Sequence, residues 1–393
     1  MKMLLVSSVM PIPPVTGDRQ RTWFLHRALQ KFAEVDLVVV KPRAALDDEA
    51  YDEAKESWGL RFLYDTTGHT GLLGRVRRGI GRLLFPLKEY RKINALNALL
   101  SDLITGSNYD AIVVRYYHTA MIAGVLDFDT PCYLDLDDYE PSRYTSESMS
   151  RDCSFVRRFF LKRSAFQLSG HIARNLEEFS GCWIADETDR SLIPVAHYLP
   201  NIPFGISDQY ISNEEFSASL SLLVISSRNR GNLEGILQFA QGALQILRTK
   251  HRELELRVVG GNLPDEYCLM LEKMPGVVMV GRVSDLGEEY NRCTMTVAPV
   301  AYGAGTSIKV LESFAYGRVC VMNQFAARGL ESLPVALRGV LIANDIKHME
   351  FLIDHFLDES VARRRASAEL CNWARESRSE TCFAERVQKL LNK

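Results

Sequence analysis

The chain has 393 residues, 47% hydrophobic and 24% charged, so it is long enough for two domains with cores of their own. Its net charge of -2 argues against a nucleic-acid-binding protein as a whole. The eight cysteines are scattered singly, which excludes a paired zinc motif and a dense disulfide scaffold and favours a reducing, cytoplasmic location.

Short apolar strands alternate with helices in the first half. Met3 to Ser8 predicts a buried strand, and the prolines after it argue against a signal sequence. A helix is predicted over Arg19 to Phe32 and a second strand over Val35 to Val40. Two more strands are predicted at Ala111 to Arg115 and Cys132 to Leu136. This alternation favours an α/β fold whose parallel sheet has helices on both faces.

The same order starts again after a proline-containing turn at about Tyr198 to Gly205, which we predict to be a linker. Strands are predicted at Leu222 to Ser226, Leu254 to Val259 and Val277 to Val280. A helix is predicted between the first two of these strands, over Leu233 to Leu247. A second α/β unit is therefore expected.

The segment from Met295 to Met322 predicts a strand, a glycine loop, a short helix and a second strand. A helix that begins after glycines points unpaired N–H groups and a positive dipole end at whatever precedes it, which suits phosphate oxygens. Lys309 adds a cation there. One turn on, the Glu312 carboxylate could bind two neighbouring ribose hydroxyls. An ordinary surface pair between Lys309 and Glu312 stays open as the alternative.

The residues from Gly303 to Arg318 resemble the donor-site signature of retaining glycosyltransferases of family 4. Four other segments fall in that family's order, at 200–203, 226–232, 256–261 and 281–283. One departure stands out, because the family often carries two glutamates eight positions apart. The first would fall at Ala304, and only Glu312 is present.

The resemblance implies the GT-B fold, with two Rossmann-like domains whose parallel sheets face each other across a cleft. It implies an acceptor-side domain over 1–200 and a donor-binding domain for a nucleotide sugar over 205–375. A C-terminal helix at about 376–393 is expected to pack back on the first domain. Loops that follow strands in either domain are then expected to hold the functional residues.

The resemblance also implies a set of donor-binding residues, which comprises Gly17, Arg228, Arg282, Val283, Gly305, Thr306, Ser307, Lys309 and Glu312. Arg228 and Lys309 are predicted to be catalytic because fixed cations stabilise a departing diphosphate. Arg230 stays open as a substitute for Arg228. His118 is the third predicted catalytic residue, since the family commonly places a histidine after the corresponding strand, near the reacting sugar carbon.

Three aspartates are predicted to lie on the acceptor side. They are Asp18, Asp137 and Asp138, and the last two could orient or deprotonate the incoming hydroxyl. Asp18 could instead cap the helix after Gly17. Asp135 and Asp137 form an Asp-x-Asp pattern that metal-dependent glycosyltransferases use for manganese. We nevertheless predict no metal and no cofactor, because the two-domain architecture supplies its own cations.

The stretch 74–92 is basic and has interleaved apolar residues, which is typical of a peripheral contact with an anionic membrane. A solvated helix on the first domain is the alternative. No run approaches the roughly 18 apolar residues of a membrane span, so any membrane contact is expected to be peripheral.

Together these features predict a glycosyltransferase that moves a sugar from a UDP- or GDP-sugar to a hydroxyl acceptor with retention of configuration. The acceptor is expected to be saccharide or lipid-linked, and the location cytoplasmic. Two alternatives stay open: a nucleotide-sugar epimerase on the same fold, and a degenerate homologue that binds nucleotide without turnover.

Overall fold

The computed structural model describes residues 1–41, 48–66, 86–150, 153–205, 220–303 and 306–392. The chain divides into two compact units, each described here by itself. The first unit comprises Met1–Ile202 and Glu380–Lys393, and the second comprises Pro203–Ser379. The division falls within the turn at Tyr198 to Gly205.

The first unit contains a parallel sheet of seven strands in the order β3-β2-β1-β4-β5-β6-β7 among the described residues. The central strands are almost wholly buried because helices cover both faces, which explains their continuous apolar runs. The strands are β1 Lys2–Ser7, β2 Glu34–Val40, β3 Leu60–Tyr64, β4 Ala111–Arg115, β5 Cys132–Asp137, β6 Gly181–Ile184 and β7 His197–Tyr198.

The helices of the first unit come from both ends of the chain. They are α1 Gly17–Gln30, α2 Asp48–Ser57, α3 Asn94–Ser107, α4 Tyr117–Ala123, α5 Glu140–Ser148, α6 Phe155–Asn175, α7 Glu187–Arg190 and α16 Glu380–Leu391, with short 3-10 turns at Pro86–Tyr90, Val125–Asp127 and Leu176–Glu178. Helix α16 packs on α1, where the Phe24 and Phe383 rings lie 6.5 Å apart.

The second unit contains a six-stranded parallel sheet in the order β10-β9-β8-β11-β12-β13 among the described residues. Its strands are β8 Ser221–Ile225, β9 Glu255–Val259, β10 Val277–Gly281, β11 Met295–Ala298, β12 Cys320–Asn323 and β13 Ile342–Ala343. One large apolar core joins these strands to the helices on both faces.

Eight helices of the second unit lie within the described residues. They are α8 Arg230–Gln241, α9 Ala243–Lys250, α10 Asp265–Glu272, α11 Leu286–Arg292, α12 Ile308–Ala315, α13 Val335–Leu341, α14 Ile346–Asp358 and α15 Ser360–Arg378. The single helix predicted over Leu233 to Leu247 is wrong in one respect, because Gly242 adopts a non-helical conformation and separates α8 from α9. Glycine tolerates such a break at low cost.

Candidate functional site

Two glycines bring helix α8 onto the loop after β11. A Cβ on Gly235 would lie 1.5 Å from the Pro299 carbonyl oxygen, and one on Gly231 would lie 2.0 Å from that of Tyr302. The Gly231 carbonyl also accepts a hydrogen bond of 2.9 Å from the Ala301 N–H. Only glycine permits this approach, so the two sites fix the loop that leads to α12.

The N-terminus of α12 lies at the carboxyl edge of the sheet and is not capped by a side chain. Ser307 occupies the N-cap position with extended backbone and makes no side-chain cap hydrogen bond. Thr306 packs closely against Gly329, since a Cβ there would lie 2.3 Å from the Thr306 Oγ1. Thr306 and Ser307 are both half-buried, and the predicted Gly305 and Ala304 lie outside the described residues. The first turn of α12 can therefore donate N–H groups to an anion.

Lys309 extends from this first turn towards β8. Its Nζ donates a hydrogen bond of 2.7 Å to the carbonyl oxygen of Ile225, the last residue of that strand. Burial lowers the pKa of Lys309 to about 8, and the nearby Glu312 partly opposes this shift. The Lys309 ammonium therefore lies at the carboxyl edge of the sheet and not on an open surface. This position favours a role in ligand binding over a solvent-exposed pair with Glu312.

Glu312 lies on the next turn of α12 and is only 6% exposed. Its Oε2 accepts a hydrogen bond of 3.2 Å from the Tyr290 hydroxyl. Tyr290 stacks on Tyr316 with ring centroids 4.9 Å apart and an interplanar angle of 9°. Burial raises the pKa of Tyr290, and the Glu312 carboxylate adds to that shift, so the hydroxyl stays a donor. This tyrosine pair, which the sequence did not predict, orients the glutamate.

Arg228 and Arg230 differ in their surroundings. Arg230 is tied within α8, because its Nε donates a hydrogen bond of 2.7 Å to Glu234. Arg228 is exposed in the loop after β8, and no hydrogen-bond or ion-pair partner is found for it among the described residues. Arg228 can therefore reach a ligand without breaking a contact, which favours it over Arg230.

The loop after β10 holds the predicted Arg282 and Val283. It follows Gly281, whose φ of 78° lies in the left-handed region. Arg282 is exposed and its stem lies beside Gly261, while Val283 packs on the small cluster that contains Tyr290. Ile225 at the end of β8, Val283 of the loop after β10 and Tyr316 at the end of α12 therefore pack in one cluster with Tyr290.

The predicted residues of the first unit lie at the carboxyl edge of its sheet, at the starts of α1 and α4 and at the end of β5. Gly17 is the first residue of α1, and Thr16 holds the N-cap position, so the alternative that Asp18 caps this helix is wrong. Asp18 is exposed and accepts a hydrogen bond from the Thr16 hydroxyl. His118 is half-buried in the first turn of α4, with its ring edge-to-face against Tyr90 at 5.3 Å. Their roles stay predictions.

A buried ion cluster surrounds the end of β5. Asp135 accepts hydrogen bonds from Arg21 at 2.6 Å and from Arg115 at 3.1 Å. Asp137 accepts one of 3.0 Å from Arg115 and one of 3.2 Å from Asn201. Burial alone would raise the pKa of Asp137, but the two guanidinium groups lower it. Since a carboxylate with a lowered pKa is a weak base, these surroundings favour a structural role for Asp137.

The same cluster bears on the manganese alternative. The Asp-x-Asp carboxylates are already neutralised by arginines, so their donor set suits a structural ion network better than a divalent cation. Asp138, which follows them, is half-buried and stays the more accessible predicted acceptor-side residue.

One group of metal-type ligands occurs elsewhere among the described residues, formed by His251, Asp354 and Asp358 on α14 and the end of α9. Lys250 donates hydrogen bonds to both aspartates and already supplies the positive charge there. These contacts favour a surface ion network over a metal site at this place.

Comparison with known proteins extends this description. Residues 220–359 match the family model described as Glycosyl transferases group 1. No curated protein matches the chain. This match lies within the second unit, Pro203–Ser379.

Solved structures cover both units. The chain is similar to an S. aureus TarM variant in complex with fondaparinux, α-GlcNAc-glycerol and UDP, with a TM-score of 0.70, 12% identity and 100% coverage of both chains. Sucrose-phosphate synthase from Thermosynechococcus elongatus gives a TM-score of 0.69 at 14% identity, over 100% of this chain and 98% of that one. The fold is GT-B. HepE from Anabaena in complex with UDP is a further GT-B neighbour, with a TM-score of 0.62, 12% identity and 100% coverage of both chains.

The GT-B fold agrees with the predicted pair of Rossmann-like domains with parallel sheets. Among the described residues, no helix is long and apolar enough to cross a membrane. Most of the predicted basic stretch 74–92 lies outside the described residues. Its described part, from Pro86 onward, includes a 3-10 turn whose Tyr90 is buried in the core of the first unit.

Proposed function

We propose that this chain is a retaining glycosyltransferase of the family 4 type, which takes its sugar from a UDP- or GDP-sugar. The observation that carries the proposal is the geometry of α12, where an uncapped N-terminus, the Lys309 ammonium and the Glu312 carboxylate follow one another within the first two turns. Cations and N–H groups suit the diphosphate, and the carboxylate suits ribose hydroxyls. Two of the similar structures are complexes with UDP, which supports this donor class.

In the proposed reaction, the bond between the anomeric carbon and the diphosphate oxygen breaks, and a new bond forms from that carbon to the acceptor oxygen on the same face. The acceptor proton leaves with the nucleoside diphosphate. No side-chain nucleophile and no metal take part. Lys309 and Arg228 offset the charge that develops on the leaving group, which is where a fixed cation lowers the barrier most.

The remaining parts of the proposal concern the first unit and the acceptor. His118 is proposed to contact the donor sugar, and Asp18 and Asp138 to serve the acceptor hydroxyl. The acceptor is proposed to be a saccharide or a lipid-linked compound, in agreement with the sugar compounds in the TarM complex. A cytoplasmic location and a membrane contact through 74–92 complete the proposal.

A panel of nucleotide sugars tests the donor class. Thermal unfolding should shift upward with UDP- or GDP-sugars and with the matching nucleoside diphosphate, because a ligand that binds only the folded state stabilises it. Nuclear magnetic resonance of the product should show the anomeric configuration of the donor. An inverted product would refute retention, and no shift with any nucleotide would refute the donor site itself.

Arg228 and Arg230 form a matched pair for the cation assignment. Arg228→Ala should lower turnover by about a hundredfold, the size typical of losing one transition-state charge contact. Arg230→Ala should leave turnover within about threefold, because that guanidinium is already bound to Glu234. The reverse result would move the role to Arg230.

A further inference from the structure

Helix α6 exposes a row of phenylalanines that no other part of the first unit covers among the described residues. Phe155, Phe159 and Phe166 are 84%, 61% and 82% exposed. With about 100° per residue, the three lie within an arc of about 40° on one side of the helix. The opposite side carries Leu168 and Ile172, which belong to the core of the first unit. An exposed aromatic row of this kind marks an interaction surface.

The charge on α6 has one sign. Its 21 residues include Arg157, Arg158, Lys162, Arg163 and Arg174 and no aspartate or glutamate. Arg157 is paired with Glu147 of the neighbouring helix α5. On the helical wheel the exposed Lys162 falls beside the phenylalanines, and the half-buried Arg158 and Arg163 flank them at about 60° and 80° from Phe155. Arg158 also donates a hydrogen bond to the Ser150 carbonyl. The apolar row is thus bordered by cations on both sides.

The shape of the row distinguishes between kinds of partner. From Phe155 to Phe166 the row runs for about 16 Å along the ridge of a helix, since each residue advances the helix by about 1.5 Å. A straight ridge of single aromatic side chains with cations along its edges can lie on a plane, where the rings enter the apolar layer and the cations meet anionic groups. Met149, at the end of α5, adds another exposed apolar side chain nearby in sequence.

We infer that helix α6 is a docking surface for an anionic lipid membrane, with Phe155, Phe159 and Phe166 inserted and Lys162, Arg158 and Arg163 against the headgroups. The inference does not rest on the proposed function, because lipid binding requires no donor and no turnover. It also differs from the contact predicted for 74–92, which is another segment.

Vesicle sedimentation with the full chain tests the inference. The protein should sediment with phosphatidylglycerol vesicles at low salt and stay in solution with phosphatidylcholine vesicles. Binding should be lost at about 1 M salt, where charges more than about 3 Å apart are screened. A parent protein that ignores phosphatidylglycerol vesicles at low salt overturns the inference, and so does equal binding to both lipids.

Variants then locate the surface. Phe155→Ser, Phe159→Ser and Phe166→Ser combined should weaken vesicle binding by about a hundredfold, since half-burial of each ring contributes about fivefold. Lys162→Ser and Arg163→Ser combined should weaken it by about twentyfold, at about fivefold per cation. Each variant should keep the circular dichroism spectrum and the thermal unfolding temperature of the parent, which shows that the protein is folded.

Matched controls come from the second unit. Val335 and Phe351 are 74% and 67% exposed on α13 and α14, so replacing both with Ser removes similar apolar surface at another place. That variant should bind vesicles like the parent. Parent-like binding by the triple phenylalanine variant, with loss on changing Arg75, Arg77 and Arg78 to Ser, would assign the membrane contact to 74–92 and overturn the role of α6.

A fluorescence measurement keeps the test independent of large substitutions. Phe159→Trp retains an aromatic ring at the centre of the row. The parent has four tryptophans of its own, so the emission of the new ring is taken as the difference between the variant and the parent. This difference should shift to shorter wavelength with phosphatidylglycerol vesicles and be quenched by brominated lipid, because the ring enters the apolar layer. An unchanged spectrum in bound protein would show that this helix stays in water and would overturn the inference.

Discussion

Lys309 gives the proposed donor site a dependence on pH that can be calculated from its surroundings. Burial lowers its pKa from 10.5 to about 8 in the unliganded protein. A bound diphosphate favours the charged ammonium and should raise that pKa again. At pH values where the lysine of the free protein is deprotonated, nucleotide binding must be accompanied by uptake of a proton. The affinity for nucleotide should therefore fall as pH rises through 8.

The magnitude follows from the two protonated fractions. With a pKa of about 8, the free lysine is about 90% protonated at pH 7 and about 10% at pH 9. If the complex keeps its proton throughout, the Kd for nucleoside diphosphate should rise about tenfold over this range, or about 1.4 kcal/mol. The range begins at pH 7 because the second ionisation of a phosphate group has a pKa of about 6 and is about 90% complete at pH 7.

Calorimetric titration at pH 7, 8 and 9, each in two buffers with different ionisation enthalpies, measures both the Kd and the proton uptake. About half a proton should be taken up at pH 8. Lys309→Arg should bind with a flat pH profile, because a guanidinium stays charged, while Lys347→Arg at an exposed position of the same unit should keep the parent's profile. A parent Kd that is constant from pH 7 to 9 without proton uptake would refute the placement of Lys309 against the diphosphate.

Three further predictions concern Glu312, the close approach at Gly235 and the buried ion cluster of the first unit. Glu312→Gln should weaken nucleoside diphosphate binding by about 1.5–3 kcal/mol in calorimetric titration, as loss of charged hydrogen bonds does. Tyr290→Phe should change the Kd less than about threefold, and equal effects of the two substitutions would contradict ribose binding by Glu312. Gly235→Ala would place a Cβ 1.5 Å from a backbone oxygen and should lower the free energy of unfolding by about 1–3 kcal/mol, whereas Gly339→Ala meets nothing within 4 Å and should raise it by about 0.5–1 kcal/mol in urea titration. Arg21→Met removes one of the cations that bind the buried Asp135 carboxylate. It should lower the free energy of unfolding by about 3–5 kcal/mol in urea titration, and a loss below about 1 kcal/mol would contradict the importance of the ion cluster.

Much of the sheet structure could be predicted because parallel strands buried on both faces appear as short, continuous apolar runs. The strand predicted at Ala111 to Arg115 has the same bounds in the structure, and those at Val35 to Val40 and Cys132 to Leu136 differ by one residue. Strand β3, Leu60–Tyr64, was not predicted, because it lies near the edge of its sheet and contains an exposed arginine. The two-residue strand Ile342–Ala343 carries too short a pattern to detect.

The candidate site could be located from its sequence but not assembled from it. The glycine loop, Lys309 and Glu312 are local signals, because all lie within ten consecutive residues of the chain, 303–312. The partners of these residues come from distant parts of the chain: Ile225 lies 84 positions from Lys309, and Tyr290 lies 22 from Glu312. The close approach at Gly231 and Gly235 is indicated in the sequence by two glycines four residues apart near a helix start.

Charged residues inside buried strands carried another unused signal. Asp135 and Asp137 lie in a strand whose neighbours are apolar, so burial required cationic partners for them. The Asp-x-Asp pattern of these residues instead suggested a metal site or a contact with the acceptor. Conversely, the phenylalanines of α6 are apolar residues that periodicity alone would place in a core, and only their exposed fractions reveal a different use.

The discontinuous first unit has a consequence for synthesis of the protein. Domains generally fold as units, and the N-terminal one does so first as the chain emerges from the ribosome. Here helix α16 of the first unit follows the whole of the second unit, so Phe24 cannot contact Phe383 until the second unit has been synthesised. The Tyr133 hydroxyl likewise donates a hydrogen bond to the Leu391 carbonyl, which can form only after α16 has been synthesised. A nascent chain stalled before Glu380 would present an uncovered apolar helix face, which is the kind of surface that chaperones bind.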